Sequence, residues 1–338
     1  MKGVNEIAKV VSAGAAGIVS VNCLANRFGD EGLATLLTAI EGTSVRSLCG
    51  LTEGQTTADF SGQNLSPIDC KIMKAEFDFC GFIAAVADLN ISEAIIGDAG
   101  ATLVEAVSAS SSLEFITIGK GLRLPLKDNY DSGVLDAADK GIEAGGAIVI
   151  AWWLTTSAAA ALNSLRCGNN PGMVGELYYN GKLKTPDAHA EVFSQLTDSL
   201  KTSQVTEVDF SSCGIGGVAL GHLSDWVRDA TAGVARLSLG SNPKIGDESM
   251  VQVLDALKDV SLTSLYISST GCGISTASKF AELLSGATKF GAAVTKLVLS
   301  ECPLTGGSLR DVDKDLSGVT SLFDALKTSS VTELDLRK

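Results

Sequence analysis

Few side chains in this sequence are of types that catalyse, and each depends on the backbone that would have to carry it. Gly214-Ile215-Gly216-Gly217-Val218-Ala219 matches G-x-G-x-x-A between a stretch of strand character and a helical one. In a dinucleotide fold that spacing rests a pyrophosphate on the helix N-terminus. His189 and His222 are the two histidines, and His222 lies near Asp225 with Cys213 a short way upstream. Those are the residue types of a thiol nucleophile and its base, which must meet in one cleft. Adjacent carboxylates at Asp30–Glu31 and Asp247–Glu248 are of the kind that does acid–base work. The cysteines are Cys23, Cys49, Cys70, Cys80, Cys167, Cys213, Cys272 and Cys302; no two are spaced C-x-x-C, so the close ligand pairs of a zinc site are missing.

What must position these residues is an internal repeat. Val234–Lys258 reads as a short strand (Val234, Leu237 and Leu239 inward), a turn containing Asn242, and an amphipathic helix (Met250, Leu254, Leu257). Such a unit cannot bury its own apolar face, so it needs neighbours of the same kind. The unit is apolar at positions 1, 4 and 6, Asn or Cys at 9, and apolar at 11; copies begin at Ile18, Val45, Val86, Leu113, Leu162, Val205, Val234, Leu262, Val294 and Val331. Where nothing intervenes the spacing is about 28 residues, as one strand and one helix require. ADFSGQNL (from Ala58) and VLDAADKGI (from Val134) match only in part, and segments 49–57, 119–133 and 171–186 read as insertions. At position 9 the chain turns beneath its neighbour, where an Asn amide can bond backbone groups that the strand ladder leaves unpaired.

The repeat absorbs the candidate chemistry. The G-x-G-x-x-A segment falls where neighbouring units read CGISTA (Cys272–Ala277) and IGDESM (Ile245–Met250), so it is read as an ordinary strand-to-helix turn. Cys213 takes the inward position 9, away from His222, and the carboxylate pairs lie in first helical turns, which favour negative charge. No catalytic residue, cofactor or metal is expected.

The pattern L-x-x-L-x-L-x-x-N/C-x-L appears in Leu162, Leu165, Cys167 and Asn170, and again in Val205, Val208, Phe210, Cys213 and Ile215. It resembles the leucine-rich repeat family, in the longer strand-plus-α-helix subclass of ribonuclease inhibitor and the Ran GTPase-activating protein. The resemblance covers nearly the whole chain. It implies an α/β fold: a single leucine-rich repeat solenoid (horseshoe) over residues 1–338, with a parallel β-sheet on the concave face and α-helices on the convex face. It also implies a non-catalytic protein-binding scaffold or a structural subunit of a larger complex. The Ran-activating subgroup adds an alternative, a GTPase-activating regulator of a small GTPase, on fold analogy alone.

In that arrangement positions 3 and 5 of each strand line the inner curve, and the expected partner surface centres on Arg166, Glu207, Asp209, Arg236 and Tyr266. Trp152 and Trp153 are further candidates; being adjacent, they cannot share one helix face, so one belongs to the core and the other is exposed or covered by an insertion.

Composition narrows the partner. With 45% hydrophobic and 19% charged residues the chain is no disordered polyelectrolyte, and its net charge of −13 repels phosphate backbones. The basic residues are scattered, so no nucleic-acid partner is expected, while a basic protein partner is compatible with the charge. The uncharged run Ala144–Leu162 is diluted by Gly, Thr, Ser and Ala and reads as a buried helix followed by the next strand, not a membrane span. The N-terminal residues lack a basic region followed by an apolar block. Inward cysteines without pairing suggest a reducing, intracellular setting, cytoplasmic or within an organelle. Both ends look cut: residues 1–16 resemble the tail of a helix from a preceding unit, and the strand at Val331 has no closing helix. That C-terminal strand edge is expected to be covered by further chain or by a partner.

Overall fold

Each repeat commits only its third to fifth positions to ladder hydrogen bonds, so the strands are mostly three residues long. The computed structural model describes residues 2–13, 17–306 and 313–337. The chain divides into two compact units, Met1–Asn129 with Glu143–Val149, and Tyr130–Ile142 with Ile150–Lys338.

The first unit runs α1 (Lys2–Ser12), α2 (Asp30–Ile40), β1 (Thr57–Asp59), α3 (Pro67–Asp78), β2 (Asp88–Asn90), α4 (Gly100–Ala109), β3 (Phe115–Ile118) and β4 (Leu122–Pro125). Of the helix expected over residues 1–16, α1 is seen, and Met1 and residues 14–16 lie outside the described residues. The first two repeats meet through a parallel bridge between Ser20 and Ser47. Strands β1, β2 and β3 are parallel, with Ala58, Leu89 and Ile116 in line. Insertion 119–133 supplies β4, which folds back antiparallel on β3 and covers that edge of the sheet.

The second unit runs β5 (Val134–Asp136), the later part of α5 (Ala144–Leu154), β6 (Ser164–Arg166), β7 (Glu176–Leu177), β8 (Leu183–Thr185), α6 (Ala190–Lys201), β9 (Glu207–Asp209), α7 (Gly217–Asp229), β10 (Arg236–Ser238), α8 (Asp247–Leu257), β11 (Ser264–Tyr266), α9 (Ile274–Ser285), α10 (Lys289–Ala293), β12 (Lys296–Val298), α11 (Ser317–Leu326) and β13 (Glu333–Asp335). Its sheet has the order β13-β12-β11-β10-β9-β6-β5, all parallel and in chain order apart from the inserted hairpin β7–β8. Position 4 forms one continuous apolar row, Leu135, Leu165, Val208, Leu237, Leu265, Leu297 and Leu334. All but Leu334, on the edge strand, are fully or almost fully buried. The helix following each strand puts its own stripe on that row, as with Met250, Val253, Leu254 and Leu257 of α8. A one-residue slip would turn the row to solvent, so this register is strongly specified.

Eight of the expected starts, from Val86 onward, lead into a strand or lie in line with one two residues later, and Ile18 and Val45 lead to the bridged residues. The two segments that match only in part, at Ala58 and Val134, form strands β1 and β5 in the same register. The apolar run 144–162 resolves as α5 and a 3-10 turn at Ser157–Ala159. Among the described residues no helix is long and apolar enough to cross a membrane.

Position 9 ties successive layers together. Asn242 is 1% exposed; its Oδ1 accepts from the N–H groups of Cys213, Gly214 and Ile215, each at 3.1 Å. Its Nδ2 donates to the position-6 carbonyls of its own unit, Leu239 at 2.8 Å, and of the preceding one, Phe210 at 2.9 Å. Asn170 repeats this with Cys167 and Ala137, at 2.7 and 2.8 Å, and accepts from the Ile142 N–H. Where cysteine replaces asparagine only a thiol donor remains: Cys213 Sγ reaches the Cys167 carbonyl and Cys302 Sγ the Ile267 carbonyl, both at 3.1 Å. Just before position 9 the backbone turns left-handed at Asp139, Asn169, Ser212, Ser241, Ser269 and Glu301, with φ between 53° and 59°. Ordinary side chains hold this conformation only where the surroundings over-determine it.

Insertion 49–57 interrupts the pairing, and a buried carboxylate stands in for the missing strand. Glu76 is 0% exposed and accepts from the Leu48 and Cys49 N–H groups (2.7 and 2.9 Å), the Ser47 hydroxyl and the Ile83 N–H. Four donors compensate a charge that would otherwise be costly to bury.

Asn242→Ala is expected to lower stability by on the order of 3 kcal/mol, because it strands several buried backbone groups at once. The exposed Asn26, whose amide among the described residues reaches only the Cys23 and Leu24 carbonyls, is expected to cost about 1 kcal/mol on the same change. Urea unfolding of both variants checks the order.

Candidate interaction face

Positions 3 and 5 of the second unit's strands point away from the apolar row and build a polar face. Ladder register sets Ser164, Glu207, Arg236, Ser264, Lys296 and Glu333 side by side as one row. Arg166, Asp209, Ser238, Tyr266, Val298 and Asp335 form the other. The expected residues Arg166, Glu207, Asp209, Arg236 and Tyr266 are therefore brought together on four adjacent strands.

The charges on this face are poorly neutralised. Arg236 is exposed and lies over the Tyr266 ring, 4.6 Å from its centroid, instead of pairing with its neighbour Glu207. Arg166 is exposed beside Asp209 and forms no ion pair among the described residues. Asp209 instead accepts from the Ser211 N–H and hydroxyl, at 2.9 and 2.5 Å. Lys296 approaches the same tyrosine at 5.7 Å and pairs with Glu333 at 2.5 Å. A cation over Tyr266 is worth about 0.5–1 kcal/mol when exposed. That is comparable with an exposed ion pair, at roughly 0.2–1 kcal/mol. The face thus holds an aromatic centre with cations on it, while Glu207 to one side forms no ion pair among the described residues.

Two expectations about outward positions are corrected. Trp153 is 0% exposed and packs edge-on against Tyr130, ring centroids 5.5 Å apart, so it is a core residue and not a partner contact. Trp152 is half-buried. Not every residue at positions 3 and 5 is accessible either: Ser47, Cys49, Thr117, Ser164 and Ser238 are buried, Ser47 with its hydroxyl on the buried Glu76. Lys296 also belongs to the centre of this face, where its approach to Tyr266 is a cross-strand contact that no local sequence pattern signals.

The candidate catalytic groups are committed elsewhere. Cys213 is fully buried, burial pushes its thiol well up, and it donates to carbonyls, so it is a poor nucleophile. His222 is half-buried on α7. Its Nε2 and the Nε1 of fully buried Trp226, one turn on, have no hydrogen-bond partner among the described residues. At the G-x-G-x-x-A turn, the place a pyrophosphate would take is filled by the protein: the Asp187 carboxylate accepts from the Gly216, Val218 and Ala219 N–H groups at 2.7, 2.8 and 3.3 Å. Among the described residues no cluster of three metal-ligating side chains occurs. The cysteines are free and mostly buried, with Cys80 exposed. Two open grooves of about 800 Å³, one between α7 and α8 and one between α1 and α2, are lined by small and mixed polar residues.

Asp247 was expected to serve its own helix, yet its carboxylate reaches the next one. It accepts from the Gly273, Ser275 and Thr276 N–H groups (2.8, 2.9 and 2.8 Å) and from the Thr276 hydroxyl, capping α9, whose own N-cap is a glycine. Asp187 does the same for α7. Aspartate capping therefore runs between repeats.

No family model and no curated protein matches the chain. Among solved structures it is similar to an internalin from Listeria monocytogenes str. 4b F2365, with 18% identity and a TM-score of 0.33. The alignment covers 97% of this chain and 63% of the internalin chain. The fold of this chain is read from its own strand register and not from that likeness.

Burial raises the Asp247 pKa, but hydrogen bonds from Thr276, Gly273 and Ser275 outweigh it and hold the group below its ordinary value of 3.8. Its contribution to stability is therefore full above that value and lost as pH falls through the lower folded one. Asp247→Asn is expected to cost about 1–2 kcal/mol at neutral pH. Its deficit against the native chain should close on acidification, followed by urea unfolding at stepwise lower pH.

Proposed function

We propose that the chain is a non-catalytic protein-binding scaffold or complex subunit of the leucine-rich repeat type, in which one repeat series runs through residues 1–338. The observation that carries this reading is the face formed by Arg166, Glu207, Asp209, Arg236 and Tyr266. Opposite charges there lie in adjacent strands yet, among the described residues, leave Arg166, Glu207 and Arg236 without ion pairs. Such groups lose little by staying in water and gain by meeting a complementary surface, and aromatic and arginine side chains are the commonest anchors of protein interfaces. Short strands on buried layers hold the side chains in fixed register, so little order has to be imposed on binding. The free, buried thiols fit a reducing, intracellular setting.

The combined change Arg166→Glu and Arg236→Glu tests this. Both side chains are exposed, so stability is expected to stay within about 1 kcal/mol of the native chain. A partner captured by the native chain from its source should bind the variant at least about tenfold more weakly in calorimetric titration. An unchanged affinity would contradict the assignment of this face.

A further inference from the structure

Insertion 171–186 does more than lengthen a loop. It folds into the β7–β8 hairpin, whose turn is closed by the Tyr178 N–H on the Lys182 carbonyl (2.8 Å) and the Gly181 N–H on the Tyr178 carbonyl (2.9 Å), with Gly181 left-handed. At its tip Tyr179 is 102% exposed and Tyr178 51%, although an aromatic ring in water forfeits one of the largest burial gains a side chain offers. The Tyr179 side chain in particular is wholly in solvent.

The base, in contrast, is fixed. Met173 and Val174 are 0% exposed, and the Val174 N–H donates to the Cys213 carbonyl in the next repeat. The Asp187 N–H donates to the Gly214 carbonyl, while its carboxylate caps α7. The hairpin base crosses Gly214 so closely that a Cβ there would lie 2.6 Å from the Pro171 carbonyl oxygen. Along the stem Glu176 is neutralised by Lys184 at 2.7 Å. Beyond that pair the only charge at the tip is Lys182, which is exposed and forms no ion pair among the described residues. The tip is thus a cation beside two tyrosines and an asparagine, on a chain whose net charge is −13.

We propose that this hairpin is a docking finger for an acidic protein surface, with Tyr179 entering an apolar pocket and Lys182 meeting a carboxylate on its rim. A fixed base and tyrosine, asparagine and glycine at the tip are the make-up of preorganised binding loops. One cation on an acidic chain is too little to hold a phosphate backbone, and two tyrosines with one lysine too little to hold a membrane surface. The proposal rests on the scaffold reading but places a contact outside the strand face.

Random peptides displayed on phage, selected on the immobilised full chain and then synthesised, provide the probe. Enriched peptides should carry an aromatic or large aliphatic residue flanked by Asp or Glu. In calorimetric titration Tyr179→Ala and Lys182→Glu are each expected to weaken them on the order of tenfold, while Arg166→Glu with Arg236→Glu changes affinity less than twofold. The tip side chains are exposed, so both hairpin variants should keep the native unfolding midpoint. Peptides sensitive only to the strand-face variant would overturn the proposal and leave the scaffold reading standing. An absence of enrichment, or peptides indifferent to both hairpin variants, would also overturn it.

Discussion

A strand only three residues long ends before its chain has left the core, and the carbonyl at position 6 is then buried with no ladder partner of its own. The rest of the architecture depends on meeting that need in every layer. Asn170 and Asn242 do so most completely, each joining the carbonyls of two successive repeats while collecting backbone N–H groups with the amide oxygen. Cysteine at the same place gives one weaker donor, and Thr270 turns its hydroxyl on Ile267 of its own unit at 2.6 Å. These residues differ in strength but share a geometry. Because each bond spans neighbouring layers, stability accrues between adjacent repeats more than within them.

The same logic governs the helix ends. The Gly216 and Gly273 N-caps have no side chain with which to satisfy the first helical amides, and Asp187 and Asp247 of the preceding repeats supply it. Where an insertion breaks the repeat, another polar group fills the gap: Glu76 takes the amides that a neighbouring strand would have taken. The uncovered backbone of an interrupted layer thus recruits buried charge, at a cost repaid by several short hydrogen bonds.

Much of this was legible from residue types. Apolar residues at positions 1, 4 and 6 located the inward row because period-two alternation and burial are the same fact seen twice. Asn242 announced its role, since a buried amide must find partners. The polar face followed from the register, and its residues do converge. Weak matches hid β1 and β5: Ala58 is a small inward residue and the segment after Val134 lacks the Asn at position 9, yet pairing with β2 and with β6, respectively, brings both strands into register. Trp153 and not Trp152 enters the core, where its ring meets Tyr130 of the insertion, a contact that local sequence does not signal. The left-handed residue before position 9 carried no signal, because Ser, Asp, Asn and Glu occupy it where glycine would be the cheaper choice. The hairpin did carry one: Asn180-Gly181 between alternating segments is a strong turn signature.

Layers tied in register in this way set the positions of the side chains on the polar rows. The frame itself is most directly tested by amide hydrogen exchange on the unmodified chain, at Cys213, Gly214 and Ile215. These residues belong to no strand or helix and owe their protection to the Asn242 amide oxygen. Protection within about tenfold of the β9 and β10 ladder amides is the expected result. Exchange as fast as that of an exposed turn, with the ladder amides still protected, would contradict the claim that position 9 holds the layers together.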